Sequence, residues 1–315
     1  MARQNPVADN QSRRFVRTVL PGIAIAIFGI LVLFGILVYK ISYPGVSVEG
    51  VNPSQYILSH QDLEIASDDD REAIPAWWIP GQKGAPGIIL ATGYGMSRTD
   101  ALSLAAALNQ MSFNLLIFDQ RGGGAAPRGI STFGLKETTD MIAAIQFLKE
   151  HPDSDPNRIG IWGVDVSAFA ALKAAADFPE VRVLAADSPF PTIQEFMDYR
   201  LAEDFGIENG IMQFACNKIF QLFYIFSKAS KDYSLSGTDL AAKSILFIKG
   251  ENRPRMAKLT DTVYEQIEPR KEMDATIPGR IHAMSGEMLK EYDQRVAAFF
   301  QSNLSAGNPN QQNAK

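Results

Sequence analysis

Residues 158–187 read RIGIWGVDVSAFAALKAAADFPEVRVLAAD. The run RIGIW (158–162) is short and apolar, which predicts a buried strand. It leads into Gly163-Val164-Asp165, and VSAFAALKAAADF (166–178) then offers a helix whose small residues let it lie close against a sheet. VRVLAA (181–186) is a second buried strand, ending at Asp187. Strand, tight turn, helix and strand in that order make a βαβ unit, whose two strands run parallel.

The alternation extends both ways from there. Upstream, LEIA (63–66) and IPAWWI (74–79) read as an antiparallel start, split by the acidic turn Asp68-Asp69-Asp70. GIILA (87–91) runs into Thr92-Gly93-Tyr94-Gly95, a helix is expected over 101–111, and NLLIF (114–118) ends at Asp119. LKETTDMIAAIQFLKE (135–150) has helical spacing, with HPDSDPN (151–157) as its stop. Downstream, SILFIKG (244–250) is a strand followed by a helix over 256–267, and EMDATI (272–277) and EMLKEYDQRVAAFF (287–300) close the domain. This pattern predicts a mainly parallel central sheet with helices on both faces. Residues 190–243 break the rhythm with apolar helical stretches such as FACNKIFQLFYIF (214–226), the place for a helical cap beyond the carboxyl edge of the sheet.

Composition narrows the function. Of 315 residues, 46% are hydrophobic and 21% charged, a globular balance. Thirty basic against 35 acidic residues, a net charge of −5, argue against a nucleic-acid binder. A single cysteine, Cys216, and three histidines leave no disulfide framework and no Cys/His zinc module. Nothing in the sequence signals a metal, nucleotide or flavin cofactor: Gly122-Gly123-Gly124 follows a strand but lacks the spacing and lysine of a phosphate loop.

Residues 19–39, VLPGIAIAIFGILVLFGILVY, carry no charge and are long enough to cross a bilayer as a helix. Arg3, Arg13, Arg14 and Arg17 precede the run and Lys40 alone follows closely, so the positive-inside bias puts residues 1–18 in the cytoplasm and the rest outside it. Pro21 and Gly22 are expected in the first turn, where a helix tolerates them. The run exceeds the usual h-region of a cleaved signal peptide and no A-x-A site follows, so an uncleaved single-pass signal anchor is expected. Residues 40–60 read as a linker, 61–303 as the domain and 304–315 as a polar tail.

In order and spacing, these motifs resemble the α/β-hydrolase superfamily, with the nearest similarity to its bacterial serine-aminopeptidase-like and acyl-hydrolase-like members. The residues are Gly93-Tyr94-Gly95, Asp119-Gln120-Arg121-Gly122, Gly163-Val164-Asp165-Val166-Ser167, Asp187-Ser188-Pro189-Phe190, Gly250-Glu251 and a late His282. The likeness runs from about residue 60 to 300. It implies an α/β-hydrolase fold with a helical cap and hydrolase chemistry, in which a serine on the strand-to-helix turn is the nucleophile.

That serine is missing. Asp165 stands at the nucleophile position, and Ser167 would need glycines at 165 and 169, where Asp165 and Phe169 stand. Ser167 is expected in the first helical turn, helping to satisfy free backbone groups. Arg253 holds the place of the triad acid, and a cation there cannot orient an imidazole as general base. Glu251 is the nearest substitute acid, with Asp187 a further candidate, and His282 keeps the place of the base. His60 and His151 are expected at the surface. The resemblance implies an oxyanion hole from the backbone N–H groups of Tyr94 and Val166, which survive side-chain changes.

Three readings follow. The first is a noncatalytic or impaired hydrolase-fold protein that binds an apolar ligand or partner at the old site. The second is a hydrolase with Asp165 as carboxylate nucleophile and His282 as base, in the manner of haloalkane dehalogenases and epoxide hydrolases, acting on esters, epoxides or similar small apolar substrates. Tyr199, Tyr224 and Tyr233 in the cap region would then be available to a leaving group. The third uses Glu251 or Asp187 with His282 and activated water. Whether Asp165 lies within one water of His282, or faces Arg253 instead, separates the first two.

Overall fold

The computed structural model describes residues 6–45, 51–66, 73–123, 130–223, 234–267, 270–280 and 284–304. Its eight strands are β1 (Gln61–Ile65), β2 (Ile74–Ile79), β3 (Ala85–Ala91), β4 (Asn114–Phe118), β5 (Ser154–Val164), β6 (Val181–Asp187), β7 (Ser244–Ile248) and β8 (Arg270–Asp274). They form one sheet in the order β1-β2-β4-β3-β5-β6-β7-β8. The β1–β2 and β2–β4 pairs are antiparallel and every other pair is parallel, as the alternating pattern requires. β5 is longer than RIGIW: a register shift at Pro86/Gly87 lets β3 pair with Ser154 and Asp155, so part of the expected stop after residue 150 is strand.

Eight helices follow the strands or flank them: α1 (Pro6–Ser42), α2 (Leu102–Gln110), α3 (Leu135–Glu150), α4 (Val166–Ala175), α5 (Ile193–Phe205), α6 (Gly210–Phe223), α7 (Pro254–Gln266) and α8 (Gly286–Leu304). Strand side chains alternate between two apolar layers, as a pleat demands. Ile89, Leu116, Phe118 and Ile161 join α3, α4, α7 and the paired helices α5 and α6 on one face. Ile88, Leu90, Leu115, Ile117 and Trp162 join α2 and α8 on the other. Each large side chain so buried contributes roughly 1.5–3 kcal/mol, which holds the strand ends in register beneath the loops. α5 and α6 fall within residues 190–243, over the carboxyl edge of the sheet.

α1 departs from the simple anchor expected. Its apolar part, Val19–Ser42, is 24 residues, long and apolar enough to cross a membrane by length and composition. The helix starts at Pro6, so Pro21 lies in its interior and not in its first turn. The missing proline N–H leaves the carbonyl of Arg17 without its helical partner; Arg17 is exposed, so water can take that place. At its other end α1 enters the domain. Val38 and Ile41 are buried in the layer containing α5 and α6, with Phe34 and Leu37 packed alongside, a stripe at helical spacing. Ser42 is buried, and its carbonyl accepts from the Ser131 N–H at 2.7 Å.

Candidate functional site

The carboxyl ends of β3, β5, β6 and β7 converge on Asp165. This residue lies between β5 and α4 at φ +40°, ψ −100°, strained for a side chain with a Cβ. The strain is held by backbone on both sides: the Asp165 N–H donates to the Asp187 carbonyl at 2.8 Å, and the Asp165 carbonyl accepts from Phe169 N–H at 2.9 Å. The turn is tight enough that a Cβ on Gly163 would come 2.7 Å from the Ser167 carbonyl carbon and oxygen. Ser167 does lie in the first turn of α4, but its hydroxyl donates to the Thr92 carbonyl and not to its own helix. That bond ties α4 to the loop after β3, because the first turn packs directly under it.

The Asp165 carboxylate has two distinct environments. Oδ1 accepts from the Tyr94 N–H at 2.8 Å and the Val166 N–H at 2.5 Å. A Cβ on Gly93 would come 2.8 Å from that same oxygen, so glycine there keeps the approach open. Oδ2 lies 3.8 Å from Arg253 Nη1. Arg253 reaches this place from the N-terminus of α7, and its Nη2 donates to Ser188 Oγ at 2.7 Å. The Ser188 hydroxyl in turn donates to Asp187 Oδ1 at 2.6 Å.

Asp187 is fully buried at the end of β6. Its Oδ2 accepts from the Arg280 N–H and from the Tyr292 hydroxyl at 2.8 Å, and Trp162 Nε1 donates to that hydroxyl at 2.9 Å. Burial pushes the Asp187 carboxyl above its ordinary value, and the attraction of Arg253 and the three donors offset this only in part. Burial also pushes the Tyr292 hydroxyl well up, and the Asp187 charge adds to it. Arg280 is itself buried: it bonds Asp293 at 3.2 Å, Ser103 at 3.0 Å and the Asp100 carbonyl, fixing the segment after β8 against α8.

Glu251 is placed differently from these groups. Its side chain is 60% exposed and lies 3.5 Å from Lys249 Nζ. His282 lies outside the described residues, as do Tyr224 and Tyr233. Tyr199 stands half-buried in α5 beside Phe196, with its hydroxyl pushed up by burial. His60 and His151 are both partly buried: His60 meets the edge of Trp77, and His151 packs on Trp78 with ring centroids 3.9 Å apart. Burial lowers the His151 imidazole below its usual value.

The packing around Tyr94 is aromatic, with Phe133 and Phe196 fully buried. The Tyr94 ring lies against Phe133 and Phe196, with the Arg200 guanidinium 4.3 Å from its centroid. The Tyr94 hydroxyl donates to the Ile41 carbonyl at 2.6 Å, and burial pushes it up to about 12. Arg280, Tyr292 and the end of α1 are parts of the site that sequence reasoning missed, and Ser188 was read only as part of the Asp187-Ser188-Pro189-Phe190 motif; Arg280 stood two residues from a singled-out histidine. Among the described residues, no group of three His, Cys, Asp or Glu is placed to hold a metal ion.

No protein-family model matches the chain. An uncharacterized protein of Mycobacterium tuberculosis is 30% identical over 144 residues, 45% of this chain and 50% of that protein. A thiohydrolase of Eupenicillium brefeldianum is 27% identical over 146 residues, 45% of this chain and 47% of its own length. The chain thus spans about half the length of the curated relatives it matches. In structure it is similar to an esterase of Pyrococcus furiosus, with a TM-score of 0.59 at 21% identity over 84% of this chain and 99% of that one. Sheet order, strand-to-helix turn and these likenesses agree: the chain is an α/β-hydrolase-fold protein with an apolar N-terminal helix.

Proposed function

We propose that this chain is a membrane-tethered, noncatalytic α/β-hydrolase-fold protein that binds an apolar ligand or partner at the former catalytic site. The observation that carries the reading is the state of Asp165. Its Oδ1 already uses the Tyr94 and Val166 N–H groups, and its Oδ2 faces Arg253. A substrate carbonyl arriving there would find both backbone donors occupied by an anion, and an electron pair on Oδ2 stabilised by a guanidinium is a poor nucleophile. An apolar occupant would meet the partly exposed rings of Tyr94 and Tyr199, since Phe133 and Phe196 are buried in the core. α1 serves as a single-pass anchor with its N-terminus in the cytoplasm and the domain on the extracytoplasmic side, supported by its 24-residue apolar run and the arginines before it.

One observation favours a second reading, a hydrolase with Asp165 as carboxylate nucleophile. Oδ1 sits where the carbonyl oxygen of an ester formed on Oδ2 would be polarised for hydrolysis by water. The two readings part on turnover. The full chain in detergent, needed because the end of α1 is built into the core, is tested against short acyl esters, thioesters, epoxides and haloalkanes. Asp165→Asn and His282→Ala run beside it. No turnover by any of the three, with unchanged circular dichroism, supports the noncatalytic reading. Turnover by the native chain that is lost in both variants replaces it with the carboxylate mechanism.

A further inference from the structure

We infer that α6 is sunk into the acyl layer of the same membrane that α1 crosses, so that the cap is seated in lipid and not in water. This rests on reading α1 as a membrane anchor. α6 has two unlike faces. Cys216, Asn217 and Phe220 are buried against the domain, while Ile211 (81% exposed), Phe214 (58%), Leu222 (61%) and Phe223 (55%) are not covered by it. Residues 211, 214, 218 and 222 lie on one stripe at helical spacing. Its only charge, and the only one in α6, is Lys218, whose long stem can carry an ammonium group to a headgroup. An apolar stripe of this size facing water marks a surface with an occupant.

The fold itself fixes what that occupant is. Phe223 Cζ is the atom that a Cβ on Gly35 would meet, at 3.8 Å. Gly35 lies four residues before Tyr39, the end of the uncharged run ahead of the exposed Lys40, and at a rise of 1.5 Å per residue that is about 6 Å along the helix axis. The uncharged run of residues 19–39 is about 32 Å long and a hydrocarbon core about 30 Å thick, so Gly35 is inside the core. Any part of the domain touching Gly35 is at the same depth, and the end of α6 is that part. The exposed residues of α1 on either side, Leu31, Val32 and Ile36, continue the same apolar surface.

The test places one fluorophore at a time on the full chain in vesicles of phosphatidylcholine and phosphatidylglycerol. Single cysteines are made in a Cys216→Ala background and labelled with a nitrobenzoxadiazole dye, then quenched with doxyl-labelled phosphatidylcholine. Phe214→Cys and Leu222→Cys report on α6, Ile30→Cys on the middle of α1. Glu287→Cys, from an 86%-exposed side chain on the other layer of the sheet, is the water reference. Blue-shifted emission and quenching at 214 and 222 that match position 30 are expected. Quenching at 30 with none at 214 and 222 overturns the seating of α6 and leaves the anchor standing. So does blue-shifted emission at 214 and 222 without quenching, which would put protein there in place of lipid. No quenching at 30 removes the anchor and this inference together. If the Cys216→Ala background does not fold, Phe214→Trp and Leu222→Trp with brominated phosphatidylcholine read the same positions in the native chain.

Discussion

The Tyr94 hydroxyl donates to the Ile41 carbonyl at 2.6 Å, while the backbone N–H of the same residue donates to Asp165 Oδ1 at 2.8 Å. One residue therefore joins the end of the apolar helix to the centre of the candidate site. A movement of α1 against the domain must either break the first bond or carry the loop after β3 with it, and that loop supplies half of the cradle around Oδ1.

Tyr94→Phe removes the bond to Ile41 and keeps the ring between Phe133 and Phe196. It leaves a partly buried carbonyl without its donor, which costs about 1–2 kcal/mol. The melting temperature of the full chain in detergent should fall by a few degrees while binding at the site is retained, since the backbone donor to Asp165 is untouched. An unchanged melting temperature would show that the α1 end is not held through this bond.

Two glycines test how tightly the turn is built. A methyl group on Gly163 would strike the backbone of Ser167 at 2.7 Å, and that backbone cannot retreat without unwinding the first turn of α4. One on Gly93 would strike Asp165 Oδ1 at 2.8 Å, the far end of a side chain that can rotate. Gly163→Ala should cost about 3 kcal/mol and Gly93→Ala about 1 kcal/mol. Equal losses in denaturant titrations would mean that the carboxylate is fixed as rigidly as the backbone.

Arg253 and Asp165 should be coupled, but weakly. The contact of 3.8 Å is long and the arginine is partly exposed, which puts the pair at the low end for buried charges. A double-mutant cycle of Arg253→Met and Asp165→Asn should give a coupling energy of about 1 kcal/mol. A coupling of zero would remove the reason for regarding Oδ2 as engaged, and would favour the carboxylate nucleophile.

How much of this was legible in the sequence depends on the range of the interaction. The strands at 74–79, 114–118 and 181–187 were visible because short apolar runs ended by turn residues describe strands buried on both faces. The turn at Asp165 was visible for a similar local reason, a glycine two residues before it and a helix directly after. The chain Trp162–Tyr292–Asp187 was not, because its members are separated by 130 and 105 residues and no periodicity marks them. The docking of α1 was hidden by chemistry. Phe34, Leu37, Val38 and Ile41 are as apolar as their lipid-compatible neighbours, so composition cannot tell a residue facing acyl chains from one facing a protein core.

Asp187 gives the candidate site a pH signature. Burial raises its carboxyl above the ordinary value, so the folded chain holds that proton more tightly than the unfolded chain does. A group shifted in this direction contributes stability that is fully present below its unfolded value, about 3.9, and is lost as pH rises through the folded value. Asp274 behaves oppositely: burial raises it, but bonds from Thr276, Arg295 and backbone N–H groups outweigh burial and bring it below the ordinary value. Its contribution is common to the native chain and to Asp187→Asn, so it cancels in their difference. The stability advantage of the native chain over Asp187→Asn should be greatest near pH 4, about the unfolded value, and shrink as pH rises through the raised folded value, measured by paired denaturant titrations in detergent. An advantage that grows with pH would mean that Asp187 is ionised in the fold and held there by Arg280, Ser188 and Tyr292, with the Arg253 charge outweighing burial.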